Sequence, residues 1–247
     1  MPVRYERRGN AAIITIDRPE RRNAVDGPTA AALRDHFRAF VDDAGAKVLV
    51  VTGAGGEAFC AGADLKAMDN PAMAPEGPMG FTRLHSPKPT IAAIEGWCVA
   101  GGLEIACWCD VRIAGESAQF GCLERRWGVP LIDGGTIRLP RIIGLGRALD
   151  LILSGRAIDA QEALAIGLAS RVVPDGRALE AALELAERIA SFPFDCVLSD
   201  RQSVYDALSL PIDEALRNEA RLGRGVIEVA QQGAARFRAG EGRHASG

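Results

Sequence analysis

The sequence predicts an α/β fold that ends in a block of helices. Short, wholly apolar runs alternate with amphipathic stretches through the first two-thirds of the chain, the pattern of buried strands joined by helices. From about residue 176 the pattern is helical almost without interruption. The 247 residues, 48% hydrophobic and 25% charged, hold material for one large core or for one core with a helical appendage.

The elements follow in order. "AAIITI" (11–16) is apolar at every position and reads as a buried strand, ended by the turn-rich "DRPERRN". "GPTAAALRDHFRAFVDDAG" (27–45) is a helix: Pro28 suits a first turn, and Leu33, Phe37, Phe40 and Val41 recur at helical spacing. "KVLVVTG" (47–53) and "TIAAIEG" (90–96) are two more buried strands. The stretch "AMDNPAMAPEGPMG" between them has too many Pro and Gly for a regular element. "LEIACWC" (103–109) is a helix, "DVRIAGE" a short strand, and "GRALDLILSG" an amphipathic helix stopped by Gly155. "DAQEALAIG" opens on a D-x-x-E capping box, Asp159 with Glu162, and stops at Gly167; "ASRVVP" is a strand. Three helices fill the end: "GRALEAALELAERIAS", "DCVLSDRQSVYDALS" and "PIDEALRNEARLGRGVIEVAQQG".

Composition excludes some classes of function. A net charge of −3 and a pI of about 5.7 argue against broad nucleic-acid or anionic-membrane binding. No apolar run approaches the roughly 18 residues of a membrane span, and the N-terminal "MPVRYERRGN" lacks the apolar core of a secretory signal. The expected location is the cytoplasm. Six cysteines fit neither a CxxC pair nor a zinc spacing, so reduced, apolar packing residues are expected and no metal.

Several catalytic motifs are absent. The glycine-rich "TGAGGEAFC" has Ala58 where a dinucleotide fingerprint needs its third glycine. No G-K-[ST] phosphate loop follows, and Gly115-Glu116-Ser117-Ala118-Gln119 misses the last glycine of a hydrolase elbow. His36, His85 and His244 offer no nucleophile–base pairing. Two turns with bare backbone remain, Cys60-Ala61-Gly62-Ala63-Asp64 and Ala100-Gly101-Gly102. Each is expected to precede a helix, whose start presents free N–H groups and positive potential. Taken alone, small residues at helix starts are packing residues. Within the second segment Glu104 stands among apolar neighbours, although glutamate is rarely buried without a partner.

"FCAGADLKAM" (59–68), "GWCVAGGLEIACWCDVRIAGESAQFG" (96–121), the "GG" at 134–135 and "RLPRIIGLGRALDLILSGRAIDAQEALAIGLASRVVP" (138–174) resemble the crotonase, or enoyl-CoA hydratase/isomerase, superfamily, as does "RNAVDGPTAAAL" near the start. The resemblance runs in order over residues 3–240. It implies a crotonase-like spiral of ββα units over residues 1–190. A C-terminal helical region over 191–247 would serve oligomerisation and active-site cover, in a homotrimer or dimer of trimers. It implies an acyl-CoA thioester as substrate, with coenzyme A part of that substrate and no separate cofactor. The N–H groups of Ala63 and Gly101 would form the oxyanion hole. Ala61, Ala63, Asp64, Leu65 and Lys66 would contact the coenzyme A part, with Lys66 near its phosphates. The two glutamates of the hydratase members fall on Glu104 and Glu124.

The activity this implies is hydration of a 2-enoyl-CoA through a stabilised enolate, with Glu104 and Glu124 as acid and base. Each glutamate has a plainer rival: Glu104 as a first-turn residue favoured by the helix dipole, Glu124 as a surface partner of Arg125 or Arg126. Asp64 reads better as an N-terminal helix residue than as a catalytic one. The segment "VPLIDGG" departs from the family by bringing a third carboxylate, Asp133, near the site; in some relatives an aspartate of this region is a nucleophile or proton donor. Trp127, beside Arg125 and Arg126, is a further departure. The alternatives are therefore an isomerase, a thioester hydrolase or an aryl-CoA enzyme using Asp133, or a non-catalytic coenzyme A- or RNA-binding scaffold. Met68, Met73 and Met79 flank the proline-rich loop as candidate acyl-pocket or loop-packing residues.

Overall fold

The computed structural model describes residues 1–67, 69 and 74–240. The chain divides into two compact units, Met1–Glu187 and Arg188–Gly247. The first unit carries two sheets. Its opening strands are β1 (Val3–Arg8) and β2 (Ala11–Ile16), followed by α1 (Gly27–Asp42), β3 (Val48–Gly53) and β4 (Ala58–Cys60). Next come β5 (Thr90–Ile94), β6 (Trp97–Val99), α2 (Gly101–Trp108), β7 (Val111–Gly115) and β8 (Gln119–Gly121). A 3-10 turn at Leu123–Trp127 leads to α3 (Gly135–Ile143), α4 (Leu145–Ser154), β9 (Ala157–Asp159), α5 (Ala160–Ala165) and β10 (Arg171–Val173).

The six-stranded sheet runs β1-β2-β3-β5-β7-β10 and the four-stranded sheet β4-β6-β8-β9. Only the first pair of the large sheet is antiparallel; β2 through β10 are parallel. Strands β2, β3 and β5 are apolar almost throughout because both sheet faces are covered, so no alternation shows in their sequence. The winding is legible in the order of use. β3, β5 and β7 go to the large sheet, and each is followed at once by a short strand, β4, β6 or β8, in the small one. Helix α2 then follows β6, and α3 follows β8 after the 3-10 turn. These are the ββα units of the expected spiral.

Helix α1 forms as its sequence predicts. Asp26 caps it by accepting from Thr29 N–H at 2.9 Å, Pro28 sits in the first turn, and Leu33, Phe37 and Phe40 are buried. Burial of each such side chain stabilises by about 1.5–3 kcal/mol. Asp159 likewise caps α5 through Glu162 N–H at 2.8 Å. The other half of that capping box does not form, since the Glu162 carboxylate pairs with Arg156 instead. Five of the six cysteines are buried and none is in a disulfide. Among the described residues no helix is long and apolar enough to cross a membrane.

Helix α6 (Ala178–Ser191) crosses the boundary between the units, and the second unit continues with α7 (Phe194–Ala207), α8 (Ile212–Gly225) and α9 (Ile227–Arg238). The sequence predicts the last two as one helix. The backbone breaks at Val226 (φ −116°), just after the glycine pair Gly223 and Gly225. Asp206 of α7 ties the first hairpin by accepting from Asn218 Nδ2 of α8 at 2.8 Å.

Candidate active site

Three parallel strands of the small sheet, β4, β6 and β8, end side by side. The segments leaving them are therefore neighbours: residues 61–67, 100–104 and 122–127. Both bare-backbone turns and both glutamates singled out in the sequence lie on these three exits.

The first two exits touch. A Cβ built on Gly62 would lie 2.8 Å from both Gly101 N and the Ala100 methyl. Gly62 is free of that clash only because it lacks a side chain, and its φ of +90° also suits glycine. Ala100 holds φ 53°, ψ −128°, backbone space that is left almost wholly to glycine. Its N–H donates to Gly121 C=O at 3.0 Å, and its carbonyl accepts from Glu104 N–H at 3.1 Å. Those bonds hold the turn. Among the described residues, neither Ala63 N–H nor Gly101 N–H has an acceptor.

Among the described residues, only one of the two expected helices is present. α2 starts at Gly101, but residues 61–67 form turns and no helix, so no helix end backs Ala63. The first turn is held instead by the "RNAV" segment: Ala61 N–H donates to Arg22 C=O, Val25 N–H to Gly62 C=O and Asp64 N–H to Val25 C=O. Asp64 is correspondingly not a helix residue. Its carboxylate is buried, meets Arg18 at 3.1 Å and accepts from Lys66 N–H at 3.1 Å, while Leu65 and Lys66 are exposed.

Glu104 is 3% exposed in the first turn of α2. Its Oε1 accepts from Gly135 N–H at 2.7 Å and from Asp133 N–H at 2.9 Å. The left-handed Gly134 (φ 96°) turns the chain between those two donors, and a Cβ at Gly135 would lie 2.8 Å from Glu104 Cγ. Burial pushes the carboxyl up to about 7, and the nearby Asp133 and Glu124 push the same way; the two N–H bonds oppose them only in part.

Glu124 is also buried, at 6%. The expected surface pairing with Arg125 is present but long, 3.4 Å to Oε1, and Oε2 has no partner among the described residues. Burial raises its pKa, while its own backbone N–H and Arg125 pull it down. Asp133 joins the same cluster. Its Oδ1 accepts from Met79 N–H at 3.0 Å and from the Thr82 hydroxyl, and burial raises its pKa.

These groups line one cavity of about 410 Å³, within the usual range for a small-molecule site. Ala61, Ala63, Leu65, Gly101, Glu104, Glu124 and Asp133 all border it, with walls of Met79, Val99, Leu123, Val129 and Leu131 and with Trp127, 74% exposed, among the lining residues. Met68 and Met73 lie outside the described residues. Asp64 and Lys66 are not on the lining. The sequence alone does not reveal the two N–H donors to Glu104, nor Thr82 and Met79 as partners of Asp133. These are backbone bonds or contacts across long separations, and no spacing rule encodes them.

Comparison with known proteins shows the family. The family model for enoyl-CoA hydratase/isomerase matches residues 6–242. The chain is 37% identical to the enoyl-CoA hydratase EchA19 of Mycobacterium tuberculosis, over 88% of this chain and 85% of that one. It is 36% identical to the short-chain-enoyl-CoA hydratase of Clostridium acetobutylicum, over 88% and 86%. The crystal structure of enoyl-CoA hydratase EchA1 from Mycobacterium marinum superposes with a TM-score of 0.91 at 34% identity, covering 96% of each chain. With its wound ββα units and three converging strand exits, the chain belongs to the enoyl-CoA hydratase/isomerase family, the crotonase superfamily.

Proposed function

We propose that the protein is an enoyl-CoA hydratase that adds water across the 2,3 double bond of a 2-enoyl-CoA thioester. One observation carries the reading: two buried glutamates with raised pKa values share a cavity with two N–H groups that have no acceptor. The thioester oxygen lies between Ala63 N–H and Gly101 N–H. Water oxygen bonds to C3, the π electrons move toward the thioester oxygen as an enolate, and collapse of the enolate takes a proton at C2. Fixed donors aimed at that oxygen matter most as charge develops there, and loss of one raises the barrier by roughly 3–4 kcal/mol in comparable sites.

The two carboxyls divide the proton work. Glu104, whose Oε1 accepts two N–H bonds that favour its ionised form, takes the proton from water. Glu124, with Oε2 lacking any donor, carries the proton delivered to C2. The apolar walls suit an uncharged hydrocarbon acyl group. The exit at Ala61–Lys66 carries the coenzyme A part along its backbone, with exposed Lys66 toward the phosphates. A homotrimer or dimer of trimers belongs to the same reading.

The test is turnover of a panel of 2-enoyl-CoA thioesters by the wild type, Glu104→Gln and Glu124→Gln. Each substitution is expected to lower kcat by about 10²- to 10⁴-fold with little change in KM. Full activity in Glu124→Gln would remove it from the chemistry.

A further inference from the structure

Asp133 stands at a junction that the reaction above does not use. Its backbone N–H donates to Glu104 Oε1 at 2.9 Å. Its carboxylate reaches the other way, to the turn at residues 77–82, where Oδ1 accepts from Met79 N–H and from the Thr82 hydroxyl. Met79 in turn lies against the oxyanion turn: a Cβ on Gly101 would be 2.9 Å from its sulfur. One residue thus links the glutamate and the backing of the Gly101 N–H.

The turn that Asp133 grips is itself anchored. Phe81 is fully buried, 4.7 Å by ring centroids from Trp108 at the end of α2 and 5.7 Å from Phe37 of α1. Arg138 of α3 adds a second strap, donating to Asp133 C=O at 2.9 Å and to Thr82 C=O at 2.6 Å. Gly77 leaves room for the carboxylate, since a Cβ there would be 2.9 Å from Asp133 Oδ1. Both of those side-chain bonds fall on Oδ1 and hold the carboxylate toward the turn.

We propose that Asp133 is a positioning residue, clamping the Met79 turn behind Gly101 with its side chain and the Glu104 carboxylate with its backbone N–H. The inference rests on the hydratase reading for its kinetic consequence, but not for the clamp itself. Its charge also acts on Glu104. The titratable and charged groups facing that region are Asp133, Glu124, Arg138, Arg83, which donates to Ala74 C=O and Ile132 C=O, and the thiols of Cys60, Cys107 and Cys122. Burial holds the thiols at about 11 to 12, so they carry no charge near neutrality. Arg138 is engaged by the two carbonyls.

The experiment compares Asp133→Asn, Asp133→Ala and Thr82→Val. Asparagine keeps an acceptor oxygen for Met79 and Thr82 but removes the charge. It is expected to leave kcat on the alkaline plateau near wild type and to move the acid limb of kcat/KM to lower pH. Alanine releases the turn and is expected to lower kcat by about 10²-fold, as a small misplacement of reacting groups does, with KM little changed. Thr82 does not line the cavity, so a fall in kcat in Thr82→Val has to pass through Asp133. Amide exchange over residues 74–84 reads the clamp without turnover. It should quicken in Asp133→Ala and Thr82→Val and stay slow in Asp133→Asn. If the wild type hydrates no enoyl-CoA, the hydratase reading falls while exchange still decides the clamp. The proposal is overturned if Asp133→Asn loses as much turnover as Glu104→Gln, which would make Asp133 a reacting group. It is overturned equally if exchange in Asp133→Ala matches wild type.

Discussion

Glu104 accepts two peptide N–H bonds and its pKa is still pushed up to about 7, because burial and the neighbouring carboxylates outweigh those bonds. In the role proposed for it, taking a proton from water, it has to be ionised. We therefore expect kcat/KM to fall as the pH drops below about 7. Stability moves the other way. The folded pKa lies above the ordinary 4.5, so this carboxyl's contribution is full below about 4.5 and is lost as pH rises through about 7. Glutamine can accept the same two N–H bonds without ionising. Glu104→Gln should thus gain on the wild type between those values, by about 3 kcal/mol at most, in denaturant melts run at several pH values. A gap between the two that does not change with pH would contradict this account. Glu104 was legible in the sequence as a charge among apolar neighbours; its two donors were not. They come from Asp133 and Gly135, about thirty positions away, through backbone groups that every residue type carries.

The elements that build the site are the hardest to read. Strands β2, β3 and β5 announce themselves as apolar runs. β4, β6 and β8 are three residues each and include glycine, cysteine and glutamine, so no period can show. Yet these short strands bring the two glycine turns and Glu124 together. The helix expected after Cys60 fails for a related reason. "AGADLKA" (61–67) has helix-forming residues, but Asp64 is drawn inward to Arg18 and the backbone bonds to residues 22–25, which holds the segment in turns. Gly62 is the tightest joint in this arrangement. Gly62→Ala sets a methyl 2.8 Å from Gly101 N at φ +90°. We expect it to destabilise by about 1–3 kcal/mol and to lower kcat by about 10²- to 10³-fold as the donors separate. Wild-type turnover in that variant, measured on folded protein, would argue that the two turns do not act as one hole.

At the scale of the whole molecule, the α/β core was legible from its wholly apolar runs and the helical end from its long periodic stretches. The assembly is a separate matter. In the Arg188–Gly247 unit, Val204, Leu208, Ile212, Leu216, Ile227 and Phe237 are exposed, an apolar load that suits burial against further copies of the chain. Sedimentation velocity should give about three or six times the 26.1 kDa chain mass, and a monomer at micromolar concentration would contradict the proposed assembly. The central claim is narrower: the cavity hydrates an enoyl thioester. The most direct measurement incubates the protein with crotonyl-CoA and longer 2-enoyl-CoA thioesters in heavy-oxygen water and follows the products by mass spectrometry. The expected product is a thioester heavier by one labelled water, formed by the wild type and nearly absent with Glu124→Gln. Recovery of free coenzyme A, an isomer of unchanged mass, or untouched substrate across the panel would contradict it.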